Sequence, residues 1–299
     1  MEFLEITTQL NHLVSEGLLT YKTNAPLADY ASFRIGGNAD FIIHPKCQEG
    51  LLKLLSILKK ESVPFLVFGN ASNVLFSDKG YKGAVIFTTE MQKCEFVGNC
   101  VTAEAGMSFT LLAAKAQQKG LSGLEFAYGI PGSVGGAVYM NAGAYGGAVS
   151  DCLVSSTYLD LNTMQIHTVE SANEHDFDYR HSRYMSGNCV ILSATFALQE
   201  ADPDSIREKM NEYMNSRKTK QPLEYPSAGS VFKRPAGHFA GKLIEDAGLK
   251  GYTIGGAQVS EKHAGFIINR DRATGEDVCR LIEHIQKEVK TKFGVDLFF

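Results

Sequence analysis

The chain has 299 residues, 44% of them hydrophobic and 21% charged, and its formal net charge is −4. This length allows two or three domains with sizeable cores, and the acidic balance argues against a general nucleic-acid or membrane-surface binder. No apolar run reaches the roughly 18 residues of a membrane-spanning helix. The N-terminal stretch lacks a basic start and an uninterrupted apolar core, so we expect no signal peptide and a cytoplasmic protein.

The cysteines and histidines show no pattern of a metal site. The six cysteines are scattered without a C-x-x-C pair, and the eight histidines do not cluster at ligand spacing. We therefore expect reduced, mostly buried thiols and no structural or catalytic metal.

The first half of the chain alternates helices and strands. An amphipathic helix is predicted at the N-terminus, followed by a helix over residues 50–60, which Pro64 stops, and by a buried strand, "FLVF". A strand over residues 83–89, a hairpin over 93–105 and a helix over 108–120 follow. Ser108 is the expected N-cap of that helix, and Gly120 lies just past its end.

In the second half of the chain, the pattern of predicted helices and strands changes after residue 220. Strands are predicted over residues 153–168 and 189–198, then a helix over 202–220 that Asp202 caps. Beyond "QPLEYP" we predict a short extended piece over 228–234, a helix over 240–247 closed by Gly248, a strand over 265–269, and a helix from Thr274 to Phe293 opened by a capping box with Asp277. Long glycine-rich joins between these elements indicate an α+β fold with mixed sheets and a boundary near residue 220.

Two loops offer backbone N–H groups with few side chains in the way. They are "GNASN", residues 69–73, and "GIPGSVGG", residues 129–136. Successive amides in turns form concave anion sites, and glycine permits close approach. A pyrophosphate is the natural ligand of such loops, and ordinary turns in a packed domain are the alternative interpretation.

Two further stretches carry charged or nucleophilic candidates. In "DFDYRHSRY", Arg180 can bind a carboxylate or phosphate through two parallel bonds, or belong to a surface charge cluster. In "SAGSVFKRP", an extended conformation would place Ser230, Phe232 and Arg234 on one face. Nearby cations would favour proton donation by this serine, and a strand end with solvated cations is the alternative.

The remaining candidates have an equally simple structural interpretation. Arg217, Lys218 and Lys220 end a helix, where cations complement the helix dipole or could bind a diphosphate. Gln258 and His263 precede an apolar strand, and a lone histidine is more often structural than catalytic.

In this order, the motifs resemble one family from about residue 30 to residue 297: "FRIGGNADF", "FGNASNVLFSDKGYKG", "GLEFAYGIPGSVGGAVYMNAGAYGG", "YRHSRY", "KQPLEYPSAGSVFKRP" and "AGKLIEDAGLKGYTIGGAQVSEKHAGFIIN". This is the UDP-N-acetylenolpyruvoylglucosamine reductase (MurB) family. The ordered set covers about nine-tenths of the chain.

The resemblance implies an FAD-binding module of the vanillyl-alcohol-oxidase (PCMH) type in two lobes, residues 1–90 and 91–220, followed by an α+β substrate-binding domain, residues 221–299. It implies non-covalent FAD, NADPH as reductant, and reduction of UDP-N-acetylglucosamine enolpyruvate to UDP-N-acetylmuramate for peptidoglycan. The expected partner is this nucleotide sugar, with no nucleic acid and no membrane, and we expect a monomer.

The resemblance also implies roles for residues. Arg180 matches the position that stabilises the enolate, and Ser230 matches the proton donor. The expected cofactor-binding residues are Gly69, Asn70, Ala71, Ser72, Asn73, Ile130, Gly132, Ser133, Gly135, Gly136, Asn141, Gly143 and Arg217. The expected substrate-binding residues are Tyr179, Lys220, Lys233, Arg234, Gln258 and His263. Gly132, Ser133, Gly135 and Gly136 are expected to present bare amides to the FAD pyrophosphate.

The chain departs from the family in three places. Ala71 stands where relatives usually carry glycine, so either the position is not left-handed or the turn is strained. The sequence reaches Phe299 before the family's catalytic glutamate, so either the sequence is cut short or this protein lacks the residue. For the chain as written, we expect FAD binding and hydride acceptance but poor reduction of the enolpyruvyl substrate. It also belongs with the shorter forms that lack an extra substrate-covering loop.

Two other functions fit the same scaffold. One is a flavin oxidase of small alcohols or lactones, which can attach its flavin through histidine, although neither glycine-rich loop contains one. The other is a non-catalytic binder of flavin or nucleotide sugar.

Overall fold

A computed structural model describes residues 2–299. The helices are α1 (Glu2–Ser15), α2 (Gln48–Lys60), α3 (Phe109–Gln118), α4 (Val134–Tyr139), α5 (Pro203–Lys220), α6 (Ala240–Asp246) and α7 (Gly275–Phe293). The strands are β1 (Leu19–Pro26), β2 (Asn38–Pro45), β3 (Phe65–Phe68), β4 (Tyr81–Phe87), β5 (Cys94–Val97), β6 (Cys100–Glu104), β7 (Leu121–Ser122), β8 (Gly143–Ala144), β9 (Gly147–Ala148), β10 (Leu153–Asp160), β11 (Ile166–Val169), β12 (Cys189–Ala197), β13 (Gln199–Glu200), β14 (Ser227–Ser230), β15 (Thr253–Ile254), β16 (Ala257–Val259) and β17 (Phe266–Asn269).

The chain forms two compact units. The first contains the described residues up to Asn24, 40–70 and 82–215, and the second contains 25–39, 71–81 and 216–299. The three-part division at residues 90 and 220 stays a prediction.

The first unit contains two cores. One lies beneath the sheet with strand order β1-β2-β4-β3, in which β3 and β4 are parallel. Helix α2 covers this sheet because its Leu51, Leu54, Leu55 and Leu58 recur at helical spacing and are fully buried. The predicted α/β unit at this point is confirmed.

The other core of the first unit lies beneath the sheet with order β11-β10-β12-β6-β5, whose strands pair antiparallel. The predicted hairpin is β5–β6, and its buried side chains alternate at Val101 and Ala103. The Ser108 side chain accepts from the Leu111 N–H and caps α3 as predicted. These antiparallel strands and the parallel β3–β4 pair make the fold α+β, as expected.

The second unit packs α6 and α7 against a sheet with order β14-β17-β16-β15. Helix α7 opens with the predicted capping box of Thr274 and Asp277. It buries Val278, Leu281 and Ile285 on one face, and Gly248 follows α6 with φ +78°. Among the described residues, no helix is long and apolar enough to cross a membrane.

Two expectations about the chain were wrong. Strand β14 stops at Ser230, and Phe232 is buried whereas Ser230 and Arg234 are exposed, so these three side chains do not share a face. Of the six free cysteines, Cys152 is buried, Cys279 is exposed and the others are half-buried, so the thiols are not mostly buried.

Candidate cofactor and catalytic site

The loop 69–73 presents an unusual run of free amides. Among the described residues, none accepts a hydrogen bond from the backbone N–H groups of positions 69–73. Gly69 packs so tightly on Ser133 that a Cβ there would overlap the serine Oγ. Ala71 has φ +42°, which settles the alternative stated above: the position is left-handed and the turn is strained.

The second loop, residues 129–136, is braced by Thr110. The Thr110 hydroxyl accepts from the Gly129 N–H at 3.1 Å and donates to the Ile130 carbonyl at 2.9 Å. Within the described chain, the N–H groups of Gly132 and Ser133 have no acceptor, as expected for an anion site.

The two glycines at the start of α4 use their backbone amides in hydrogen bonds within the protein. The Gly135 N–H donates to the Ala105 carbonyl at 2.8 Å, and the Gly136 N–H donates to the Ser133 Oγ at 3.2 Å. A Cβ on Gly135 would lie 2.8 Å from the Ala105 Cβ. The expectation that Gly135 and Gly136 present bare amides is therefore wrong, because both amides are already bonded within the protein.

Arg180 is docked on the loop that carries Asn141 and Gly143. Its guanidinium donates to the Asn141 carbonyl at 3.2 Å and to the Gly143 carbonyl at 2.8 Å. The side chain of Asn141 in turn donates to the Asp178 carbonyl at 3.1 Å. The structure thus brings these three predicted residues together, and the exposed Tyr179 ring lies 5.3 Å from the guanidinium carbon.

The backbone of Arg180 is held in an uncommon conformation. Its φ is +54°, a left-handed value that costs about 1 kcal/mol or more in a non-glycine residue. A guanidinium has five N–H donors, and two of its nitrogens are used in holding its position. The remaining donors can bind a carboxylate.

A buried network of hydrogen-bonded side chains holds the segment that contains Arg180, and sequence reasoning did not predict it. His175 Nδ1 donates to the Ser171 carbonyl at 2.9 Å, so Nε2 is the acceptor for the Ser156 hydroxyl at 2.7 Å. Ser156 also bonds the Tyr184 hydroxyl. Burial lowers the pKa of His175, which keeps the imidazole neutral. These bonds anchor both ends of the stretch that contains Arg180.

Ser230 lies in the second unit, at the end of β14. It pairs with Phe266 of β17 and is exposed, and Gly229 before it has φ +84°. The next residue, Val231, donates its N–H to the Gly265 carbonyl at 3.0 Å. The hydroxyl is therefore presented from the end of a hydrogen-bonded strand.

The predicted substrate cations are also in the second unit. Lys220 ends α5, and Lys233 and Arg234 are exposed beyond β14. The Arg234 guanidinium lies over the Phe239 ring at 4.6 Å, and Arg217 lies in the last turn of α5. Their roles toward a diphosphate or FAD stay predictions.

Gln258 and His263 both make structural bonds. The Gln258 amide donates to the Gly251 carbonyl and the Thr253 hydroxyl within the β15–β16 hairpin. His263 Nδ1 accepts from the Gly265 N–H at 3.1 Å, and burial lowers its pKa. A neutral His263 thereby shapes the turn that leads into β17, the partner strand of Ser230.

A further residue was missed by the sequence reasoning. The Oε1 atom of Gln221 is buried and, among the described residues, has no hydrogen-bond partner. A buried acceptor without a donor costs about 1–3 kcal/mol, so this atom has capacity for a ligand donor. The only sequence feature that could have indicated Gln221 is its position directly after α5, in "KQPLEYPSAGS".

These features fit FAD better than a metal. The free amides of the two loops suit a pyrophosphate, and the orphaned Gln221 oxygen suits an N–H or hydroxyl donor. No group of three or more His, Cys, Asp or Glu in the described chain could hold a metal ion.

Comparisons with known proteins agree with the fold. A family described as "FAD binding domain" matches residues 39–169, and one described as the C-terminal domain of UDP-N-acetylenolpyruvoylglucosamine reductase matches residues 221–298. The reductase of that name from Caldicellulosiruptor bescii is 51% identical over 90% of this chain and 86% of its own length.

Two solved structures are similar as well. The UDP-N-acetylenolpyruvylglucosamine reductase (MurB) of Thermus caldophilus superimposes with a TM-score of 0.78 at 32% identity, over 93% of this chain and 97% of that one. Physcomitrella patens BBE-like 1 shares the fold over 64% of this chain and 44% of its own, with a TM-score of 0.50 at 14% identity.

The fold and its amide-rich loops define an FAD-containing oxidoreductase built on a PCMH-type module. Within that class, the chain belongs to the UDP-N-acetylenolpyruvoylglucosamine reductase family.

Proposed function

We propose that the chain catalyses the NADPH-dependent reduction of UDP-N-acetylglucosamine enolpyruvate to UDP-N-acetylmuramate, a step in peptidoglycan precursor synthesis. The observation that carries this proposal is the 51% identity to the Caldicellulosiruptor bescii reductase over 90% of the chain. A cytoplasmic location and a monomeric state are part of the proposal.

FAD, when bound, supplies the hydride chemistry. The free amides of residues 69–73, Gly132 and Ser133 would hold its pyrophosphate. Gly135 supports this contact indirectly, because its bond to Ala105 fixes the start of α4 directly after Ser133.

Arg180 would bind the carboxylate of the enolpyruvyl group. Hydride addition to the methylene carbon of this group leaves negative charge on the neighbouring carbon and its carboxylate. Since Arg180 is already positioned by two carbonyl bonds, its free donors meet this charge without reorganisation. The preorganised cation lowers the barrier of the step in which the charge develops.

Ser230 would donate the proton that completes the lactyl ether. Its placement at the end of a hydrogen-bonded strand limits the positions that the hydroxyl can take. The cations Arg217, Lys220, Lys233 and Arg234 are the proposed diphosphate contacts, and Tyr179, Gln258 and His263 are proposed to line the substrate.

Anaerobic spectroscopy of the purified holoprotein tests this function. NADPH should bleach the flavin absorbance, and the enolpyruvyl nucleotide sugar should then restore it. Ser230→Ala should slow the second step by about 10²-fold or more and leave the first unchanged. Restoration by oxygen alone, together with oxidation of an alcohol or lactone, would indicate an oxidase instead.

A further inference from the structure

A second basic site lies in the second unit, at the end of its sheet where β14 begins and β17 ends. The cavity has a volume of about 530 Å³ and is lined by Pro226, which precedes β14, and Asn269, which closes β17. Ser230 lies at the opposite end of β14.

Three arginines line this cavity: Arg34, Arg270 and Arg272. Within the described part of the chain, none of these guanidinium groups forms a hydrogen bond or an ion pair with another residue. Arg270 lies over the Tyr225 ring at 4.8 Å, which orients it without neutralising it. The donors of all three side chains are available to a ligand.

The acidic residues of the cavity do not cancel this charge. Each carboxylate oxygen of Asp78 accepts one backbone bond, from the Gly275 N–H at 2.7 Å and from the Glu276 N–H at 3.0 Å. Asp271 is the other carboxylate in the lining. Three cations therefore face two carboxylates, one of which is committed to capping α7.

The backbone beneath the arginines is fixed by Asn269. Its Nδ2 donates to the Phe33 carbonyl at 3.1 Å, and its Oδ1 accepts from the Ala273 N–H at 2.8 Å. Arg34 and Arg272 both have left-handed backbones, with φ +54° and φ +49°. Such conformations persist only where the surroundings hold them, so the two side chains project from a strained and fixed frame.

We propose that this cavity binds a phosphate monoester group. A monoester dianion offers three oxygens to the planar forks of converging arginines, and this pairing favours arginine over lysine. None of the cations predicted for the substrate diphosphate lines the cavity. The group can be the 2′-phosphate of NADPH, in which case the inference rests on the proposed function, or a free phosphorylated compound.

Isothermal titration calorimetry of the holoprotein with inorganic phosphate and with adenosine 2′-monophosphate tests the site. Arg34→Gln and Arg272→Gln should each weaken binding about ten-fold or more. Arg34→Lys should weaken it less, because it keeps the charge but loses the fork. Arg280→Gln, on the exposed face of α7, is the matched control and should bind as the wild type does. Undiminished binding in both glutamine variants, or no binding by the wild type, would overturn the proposal.

Steady-state kinetics separate the two sources of the group. If the site serves the reductant, Arg34→Gln should raise KM for NADPH about ten-fold and leave KM for NADH unchanged. If both KM values stay at their wild-type levels while phosphate binding is lost, the site belongs to a free phosphorylated compound. If NADPH did not reduce the flavin of the holoprotein, the proposed function would be wrong. The phosphate titration would still test the cavity in that case.

Discussion

The side-chain amide of Asn70 donates a hydrogen bond of 2.6 Å to the carbonyl oxygen of Pro131. The bond joins two loops that lie about 60 residues apart and that both carry amides without an acceptor in the described chain. Asn70 and Pro131 both lie in the first unit, so the bond fixes the start of the first loop against the second loop.

Asn70→Ala should weaken FAD binding. A hydrogen bond contributes about 0.5–1.5 kcal/mol net, so we expect the Kd of FAD to rise about three- to ten-fold. Titration of deflavinated protein, followed by quenching of flavin fluorescence, measures this. Asn188→Ala, which removes a surface bond to Asn162, is the control and should change nothing. An Asn70→Ala variant that binds FAD with wild-type affinity would show that FAD binding does not depend on this hydrogen bond.

Ala71→Val should disrupt the first loop, whereas Ala71→Gly should be tolerated. The left-handed φ of +42° is accessible to glycine and strongly disfavoured for a β-branched residue. We expect Ala71→Val to lower the flavin content of the purified protein at least ten-fold and Ala71→Gly to keep it within about two-fold. Equal flavin content in both variants would mean that the backbone at this position can relax.

Gly135→Ala should lower stability, whereas Gly136→Ala should not. A Cβ at Gly135 would lie 2.8 Å from the Ala105 Cβ, but one at Gly136 meets only the Ser133 Oγ at 3.4 Å. Overpacking of this kind costs about 1–3 kcal/mol of the free energy of unfolding. Urea unfolding of both variants, monitored by circular dichroism, makes the comparison. Similar midpoints would argue that α4 shifts to accommodate the methyl group.

Arg180→Lys should separate the two half-reactions. Loss of the planar fork removes the preorganised contact to the developing charge, so we expect the rate of flavin reoxidation by substrate to fall about 10²–10³-fold. Flavin reduction by NADPH should change less than about two-fold. Stopped-flow absorbance resolves both rates, and Arg183→Lys, in the same segment, is the control. If both half-reactions slowed equally, Arg180 would act mainly by supporting the fold.

His175 should make stability dependent on pH. Burial lowers the pKa of His175 in the folded protein, so the unfolded chain binds the proton more readily. The stabilising contribution is complete above pH 6.5 or so, the ordinary pKa of histidine, and is lost as the pH falls toward the lower folded pKa. Thermal unfolding between pH 5 and 8 should show this loss, and His175→Gln should flatten the slope. His238→Gln, an exposed position, should keep the wild-type slope; an unchanged slope in His175→Gln would mean that other groups carry the dependence.

Local signals were enough for much of this fold. The caps at Ser108 and Thr274 and the stop at Gly248 were predictable because their partners lie within a few residues. The two glycine-rich loops and Arg180 were recognisable for the same reason: their composition is unusual over a short window.

Contacts between distant segments were not predictable in this way. Beyond Ser230, Val231 still bonds to the Gly265 carbonyl beside β17, but Lys233 bonds to the Phe298 carbonyl near the end of the chain, so the extended pairing does not continue to Arg234. The network of His175, Ser156 and Tyr184 joins residues up to 28 positions apart, and no local pattern indicates it.

The glycine-rich loops show most clearly which features the local sequence determined and which features depended on the tertiary structure. Their residue types made an anion site foreseeable, since bare amides at turns are a property of the local chain. Which amides remain free was set by folding, because Ala105, about 30 positions earlier, takes the Gly135 N–H, and nothing in the described chain takes those of Gly132 and Ser133. Each N–H group donates mainly to one acceptor, so the acceptors that the fold brings near determine which donors are left for a ligand.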